Sequence, residues 1–103
     1  MADPSDLTGL GFAWDPDKND PNIAKQGLGF GMATRAFDEP MLRRRDERHN
    51  YGEERWIALG RIEDVTVAIV YTMRGDTVRI ISARKANRHE KKIYDDARRQ
   101  TRR

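Results

Sequence analysis

The stretch VTVAIVYTMRGDTVRIISAR, running from Val65 to Arg84, decides the fold class. Val65, Val67, Ile69, Tyr71 and Met73 alternate onto one face, the period-two pattern of a half-buried strand. Thr77 to Arg84 reads as its partner, and Arg74-Gly75-Asp76 supplies the tight turn between them. Working backwards, Glu63-Asp64 marks another turn, Arg55 to Arg61 a third strand and Met41 to Arg45 a fourth. An antiparallel meander of about four strands is expected.

Helix signals flank this core. Gly11 to Trp14 reads as a short strand that runs into Asp15-Pro16, and Asp20-Pro21 gives a second cap signal. Pro21 has no N–H to bond back to Asp17, so the regular helix is expected over Pro21 to Gln26, stopped by Gly27. Phe30, Ala33 and Phe37 share one face of a second helix over Gly29 to Phe37, which Asp38-Glu39-Pro40 ends. Asn87 and Glu90 have the spacing of a capping box, opening a C-terminal helix whose narrow apolar edge is Ile93 and Ala97. The class is α+β: a sheet, two short N-terminal helices packed on it and a C-terminal helix. The expected organisation is a loose arm at residues 1–10, one domain over 11–97 and a basic tail over 98–103.

Composition narrows the chemistry. A chain of 103 residues forms one small domain with a thin core. Cys is absent, which removes disulfide frameworks, thiolate metal sites and cysteine nucleophiles. The apolar runs are short and the N-terminus MADPSDLTGL is acidic, so neither a signal peptide nor a membrane span is expected. Net charge is +3 but unevenly placed: residues 1–40 carry three Lys/Arg against seven Asp/Glu, and residues 84–103 nine against three. A basic end suits nucleic acid or an acidic partner; equally, it can serve only to solvate a terminal helix.

His49 and His89 are isolated from each other and from any metal-binding spacing, and they read as surface residues. No metal or cofactor is expected. GLGFG at Gly27 to Gly31 lacks the spacing of a phosphate cradle, and neither Ser5 nor Ser82 sits on an elbow motif. What remains is a set of cations on the strands and their edges: Arg55, Arg74, Arg79, Arg84 and Lys85. Guanidinium forks grip phosphate and can stabilise a phosphorane-like transition state, so a metal-free ribonuclease is one thing they could build. In it the RNA's 2′-hydroxyl attacks the neighbouring phosphorus, with Glu54, Tyr71 and Lys85 as the groups able to handle protons. Trp56 and Tyr71 could stack on unpaired bases. The plain alternative is a half-buried sheet whose arginines face water and whose aromatics are core.

Four ordered segments add a resemblance. FAWDPDKNDPNIAKQG at Phe12 to Gly27, GFGMATRAFDEP at Gly29 to Pro40, GEERWIALG at Gly52 to Gly60 and VYTMRGDTVRIISARKANRHEKKIY at Val70 to Tyr94 closely resemble the BrnT toxins. The WDPxKNxxN opening, and RIISARKA followed by Glu90 and Tyr94, are its most specific parts. The resemblance implies a RelE-like fold and a cytoplasmic bacterial toxin whose RNA cleavage arrests translation. It implies neutralisation by a BrnA-like ribbon-helix-helix antitoxin in a 2:2 complex that reaches operator DNA through the antitoxin. The family's polar positions fall on Lys18, Asn22, Lys25, Glu54, Arg55, Arg79, Ser82, Arg84, Glu90 and Tyr94. Catalysis is thereby expected from Glu54, Arg55, Arg79 and Arg84, and RNA binding from Lys18, Lys25, Trp56, Tyr71, Arg74 and Lys85.

Relatives usually read Lys-His-Gly where this chain has Lys25-Gln26-Gly27, and Gln26 cannot carry a proton near neutral pH. The competing reading is therefore a decayed toxin that survives as a non-catalytic, antitoxin-binding co-repressor. A second difficulty lies in the strand itself. Regular alternation puts Arg79 on the face opposite Ser82 and Arg84, so the arginines act together only if the strand bends near Ser82.

Overall fold

The computed structural model describes residues 11–101; the arm expected at residues 1–10 lies outside them, as do residues 102 and 103. In chain order the elements are strand β1 (Gly11–Trp14), helix α1 (Pro16–Gln26), the single turn α2 (Phe30–Ala33) running into a 3-10 helix (Thr34–Asp38), strands β2 (Leu42–Arg45), β3 (Trp56–Ile62), β4 (Val65–Arg74) and β5 (Thr77–Lys85), and helix α3 (Arg88–Thr101).

The sheet has five strands, in the order β1-β5-β4-β3-β2, where about four were expected. β2 to β5 form the meander, but β1 lies parallel to β5, with Phe12 beside Val78 and Trp14 beside Ile80. The added strand follows from its alternate apolar residues. Phe12 meets Phe37 edge-on at 5.1 Å and Trp14 meets Phe30 at 6.3 Å, so pairing along β5 puts both rings into the core.

Helix α1 begins a full turn earlier than expected, at Pro16, and accommodates Pro21 inside it. Asp15 accepts the Asp17 N–H at 2.9 Å, and Pro16 occupies the first turn, where its missing N–H costs nothing. This cap and the docking of Asn19 and Asn22 outweigh the one bond that Pro21 removes. Asn19 Oδ1 accepts the Phe30 N–H at 2.9 Å, which caps α2 from a distance. Asn22 imitates a neighbouring strand: its Nδ2 donates to Ala83 O at 2.8 Å and Leu28 O at 2.7 Å, while Oδ1 accepts the Ala83 N–H at 3.3 Å. The β5 edge left open beyond β1 is thereby closed by a helix side chain. Gly27 ends α1 at φ 72°, as its position suggested.

One face of the sheet carries the main core: Phe30, Ala33, Ala36 and Phe37 pack on Ala58, Val67, Ile69, Tyr71, Val78, Ile80 and Ala83. Gly60 lets them come close, since a Cβ there would lie 2.9 Å from Met41 Cγ and 3.2 Å from Ala36 Cβ. On the other face a small cluster of Leu59, Ala68 and Tyr94 seats α3. The capping box forms as read: Asn87 Oδ1 accepts the Glu90 N–H at 2.8 Å and Glu90 Oε1 accepts the Asn87 N–H at 2.9 Å. The anchor differs, however. Tyr94 is buried while Ile93 stays 40 % exposed, because Glu90, Tyr94 and Ala97 at spacings of four and three form the face turned to the sheet.

Candidate functional site

The register between β4 and β5 settles which arginines meet. Val70 pairs with Ser82, but Tyr71 pairs with Ile80, so Ile81 is an extra residue, a bulge in β5. Val78, Ile80 and Ala83 can then all face the core, although Ile80 and Ala83 are an odd number of residues apart. On the other face Arg79 stands opposite Thr72 and Arg84 opposite Ala68; Thr72 and Ala68 lie four apart on β4 and share a side. The bend that regular alternation lacked is present, and Arg79, Ser82 and Arg84 are on one face.

The same rule extends the face across the sheet. Ile57 stands opposite Val70 and Arg44 opposite Ile57, while Arg55 lies one residue before β3 with the parity of Ile57. Arg74 shares the parity of Thr72 on β4. Glu53 sits between two of these cations, its Oε2 3.4 Å from Arg55 Nε and its Oε1 3.6 Å from Arg74 Nη2. Thr72 Oγ1 donates to Glu54 O at 2.6 Å and ties the end of the β2–β3 connection to the sheet.

That connection, residues 46–55, folds around a buried carboxylate. Asp46 accepts from Arg48 Nε and Nη2, each at 2.8 Å, and from Tyr51 Oη at 3.3 Å. Hydrogen bonding from Arg48 holds the Asp46 carboxyl far below the usual carboxylate range. Arg55 in turn lies 3.9 Å over the Tyr51 ring. Arg48 stands near enough for its charge to oppose that of Arg84. At the other end Arg84 forms a two-pronged pair with Glu90, at 2.6 and 2.8 Å. Hydrogen bonding to Arg84 lowers the Glu90 pKa, and the charge of Arg44 lowers it further. Among the described residues Arg44 and Arg79 make no ion pair or hydrogen bond, although the charge of Arg44 reaches Glu90.

The expected residues divide accordingly. Arg55, Arg74, Arg79 and Arg84 share one face of the sheet, with Arg84, toward its far end, held by Glu90. Glu54 turns away to pair with Arg45, whose register partner Trp56 belongs to the core side. Glu53, its neighbour, is the carboxylate that reaches the arginines. Tyr71 is corrected outright: its ring is fully enclosed and its hydroxyl accepts from Arg43 Nη1 at 2.9 Å, so it cannot stack on a base. Burial also raises its pKa, against use as a proton donor. Trp56 is on the core side too, half-buried, with Arg43 4.4 Å over its ring. Lys85 lies opposite Val67, which has core-side parity, and Lys18 and Lys25 are exposed on α1. Asn22 is a structural fastener.

Arg44, Arg48 and Tyr51 were missed, although the cation-rich run RRRDERHNYGEER from Arg43 to Arg55 held the signal. Among the described residues no group of three His, Asp or Glu side chains is placed to hold a metal ion.

Comparison with known proteins bears on this face. The family profile described as the ribonuclease toxin BrnT of type II toxin-antitoxin systems matches residues 14–90. The chain belongs to the BrnT family. The match runs from Trp14, the last residue of β1, to Glu90, which holds Arg84. It therefore spans the whole arginine face. No curated protein matches the chain. As a BrnT-family member it is a ribonuclease toxin with an antitoxin partner. Among the described residues no helix is long and apolar enough to cross a membrane.

Proposed function

We propose that this chain is a metal-independent, cytoplasmic endoribonuclease of RelE-like architecture that arrests translation by cutting RNA on the arginine face. The observation that carries the reading is the β5 bulge at Ile81, which joins Arg79 and Arg84 to Arg44 and Arg55. Arg79 and Arg55 grip the scissile phosphate and neutralise the charge that builds on its oxygens as the 2′-hydroxyl attacks. Glu53, held between Arg55 and Arg74, takes the 2′-hydroxyl proton as the bond from phosphorus to the 5′-oxygen breaks, and water protonates the departing 5′-oxygen. Arg84 acts through Glu90 by fixing α3 against the sheet, and Arg44 and Arg48 draw in the flanking backbone. A BrnA-like ribbon-helix-helix antitoxin neutralises the toxin in a 2:2 complex and carries it to operator DNA.

The test is cleavage of RNA in buffer with excess chelator, read by the chemistry of the new ends. Fragments ending in a 2′,3′-cyclic phosphate are expected from the wild-type chain. Intact RNA would leave the co-repressor reading, which Gln26 at the family's histidine position favours.

A further inference from the structure

Strand β2 is the last in the sheet order and, among the described residues, pairs with β3 alone. The bond from Asp46 N to Arg55 O, 2.7 Å, sets the phase of that antiparallel ladder. Counting back from it, Leu42 and Arg44 turn their backbone groups toward β3, and Arg45 turns its own toward the open edge. Beside this edge, between β2 and α3, run two clefts that meet at Leu42. One, of about 370 Å³, is lined by Leu42, Tyr94 and Ala97; the other, of about 490 Å³, by Leu42, Ile57 and Ile93. Leu42 and Ile93 are large apolar side chains left 39 % and 40 % exposed.

We propose that the β2 edge and this paired cleft dock an extended, acidic segment of the antitoxin, which adds to the sheet as a sixth strand. The geometry suits a strand, because alternate side chains about 7 Å apart on one face would drop into the two clefts while the backbone pairs with β2. Charge selects the occupant. Arg43 and Arg45 turn to the core side, where they meet Tyr71 and Glu54, so Arg44 is the cation on the cleft side; a second copy of this chain would bring like charges together there, whereas an acidic residue of the incoming strand can pair with Arg44. RNA would satisfy Arg44, but it has no use for a strand edge or for apolar clefts. The assignment of the partner rests on family membership. Arg44 belongs both to this cleft and to the arginine face, so a docked segment also covers one flank of the proposed RNA site.

The experiment uses the full chain and its cognate antitoxin, in calorimetric titration and in hydrogen exchange. Leu42→Asp and Ile93→Asp should each weaken binding at least 10-fold while leaving thermal stability and RNA cleavage as in the wild type. Exchange of the Arg45 amide should slow in the complex. Wild-type affinity in both variants, or an Arg45 amide equally fast with and without antitoxin, overturns the proposal, as does protection of that amide by RNA alone. Neither readout requires nuclease activity, so loss of the catalytic reading would be seen separately.

Discussion

Glu90 provides the most quantitative check on how α3 and the arginine face are held. Its carboxylate makes two kinds of contact: a two-pronged ion pair with Arg84 and the capping bond from the Asn87 N–H. Glu90→Gln removes the charge but keeps an acceptor for Asn87. A buried charge-assisted pair is worth about 1.5 to 3 kcal/mol, but water reaches the Arg84 side chain, which is 40 % exposed, and the expected loss falls to about 1 kcal/mol. Glu90→Ala also removes the capping bond, about 0.5 to 1 kcal/mol more. For a domain of this size each kilocalorie lowers Tm by about 4 to 8 °C, so the two variants should be resolved by urea or thermal unfolding.

The pH dependence supplies an independent sign. Arg84 lowers the folded-state pKa of Glu90 below its ordinary value of 4.5. The pair's contribution is therefore complete above that value and disappears as pH falls through the lowered one. The gap between wild type and Glu90→Gln should be widest near pH 7 and close as pH falls through the lowered pKa. A Glu90→Gln protein as stable as wild type near neutrality, or a gap that persists unchanged in acid, would refute the argument.

Asn22→Ala strands Leu28 O and both backbone groups of Ala83 at the β5 edge, and unfolding should show a loss of about 2 to 4 kcal/mol. Gly60→Ala forces a methyl against Met41 and Ala36, and should cost about 1 to 3 kcal/mol in the same assay. Arg79→Ala should lower kcat/KM for RNA cleavage about 10- to 100-fold, the loss of a charge-assisted phosphate contact, with Tm unchanged because Arg79 bonds to nothing described in the fold. Arg79→Lys should recover only part of that rate, since an ammonium lacks the guanidinium fork.

Much of the molecule was legible from local patterns. The strand over Val65 to Arg74, the turn at Gly75 and the Asn87/Glu90 capping box depend on neighbours a few residues apart, and all stand in the structure, although the strand is buried on both faces along its middle and Val65 is exposed. Pro21 misled because its cost is local whereas the compensation is not: Asn22 reaches Ala83, 61 residues away. Ile93 misled for a similar reason. Hydrophobicity alone nominates it, but the sheet surface at Leu59 and Ala68 selects Tyr94.

The arginines show the division most clearly. Sequence alone determined an α+β fold without cysteine, with guanidiniums concentrated on strands and the segments of the BrnT family in order. It could not say that Arg79 and Arg84 act on one side, because period-two alternation counts them onto opposite faces. Only the tertiary structure decided that, through one extra residue at Ile81. A bulge is set by the need to bury Val78, Ile80 and Ala83 against the same core while β4 carries no extra residue beside them. That need belongs to the packed sheet and appears in no single strand.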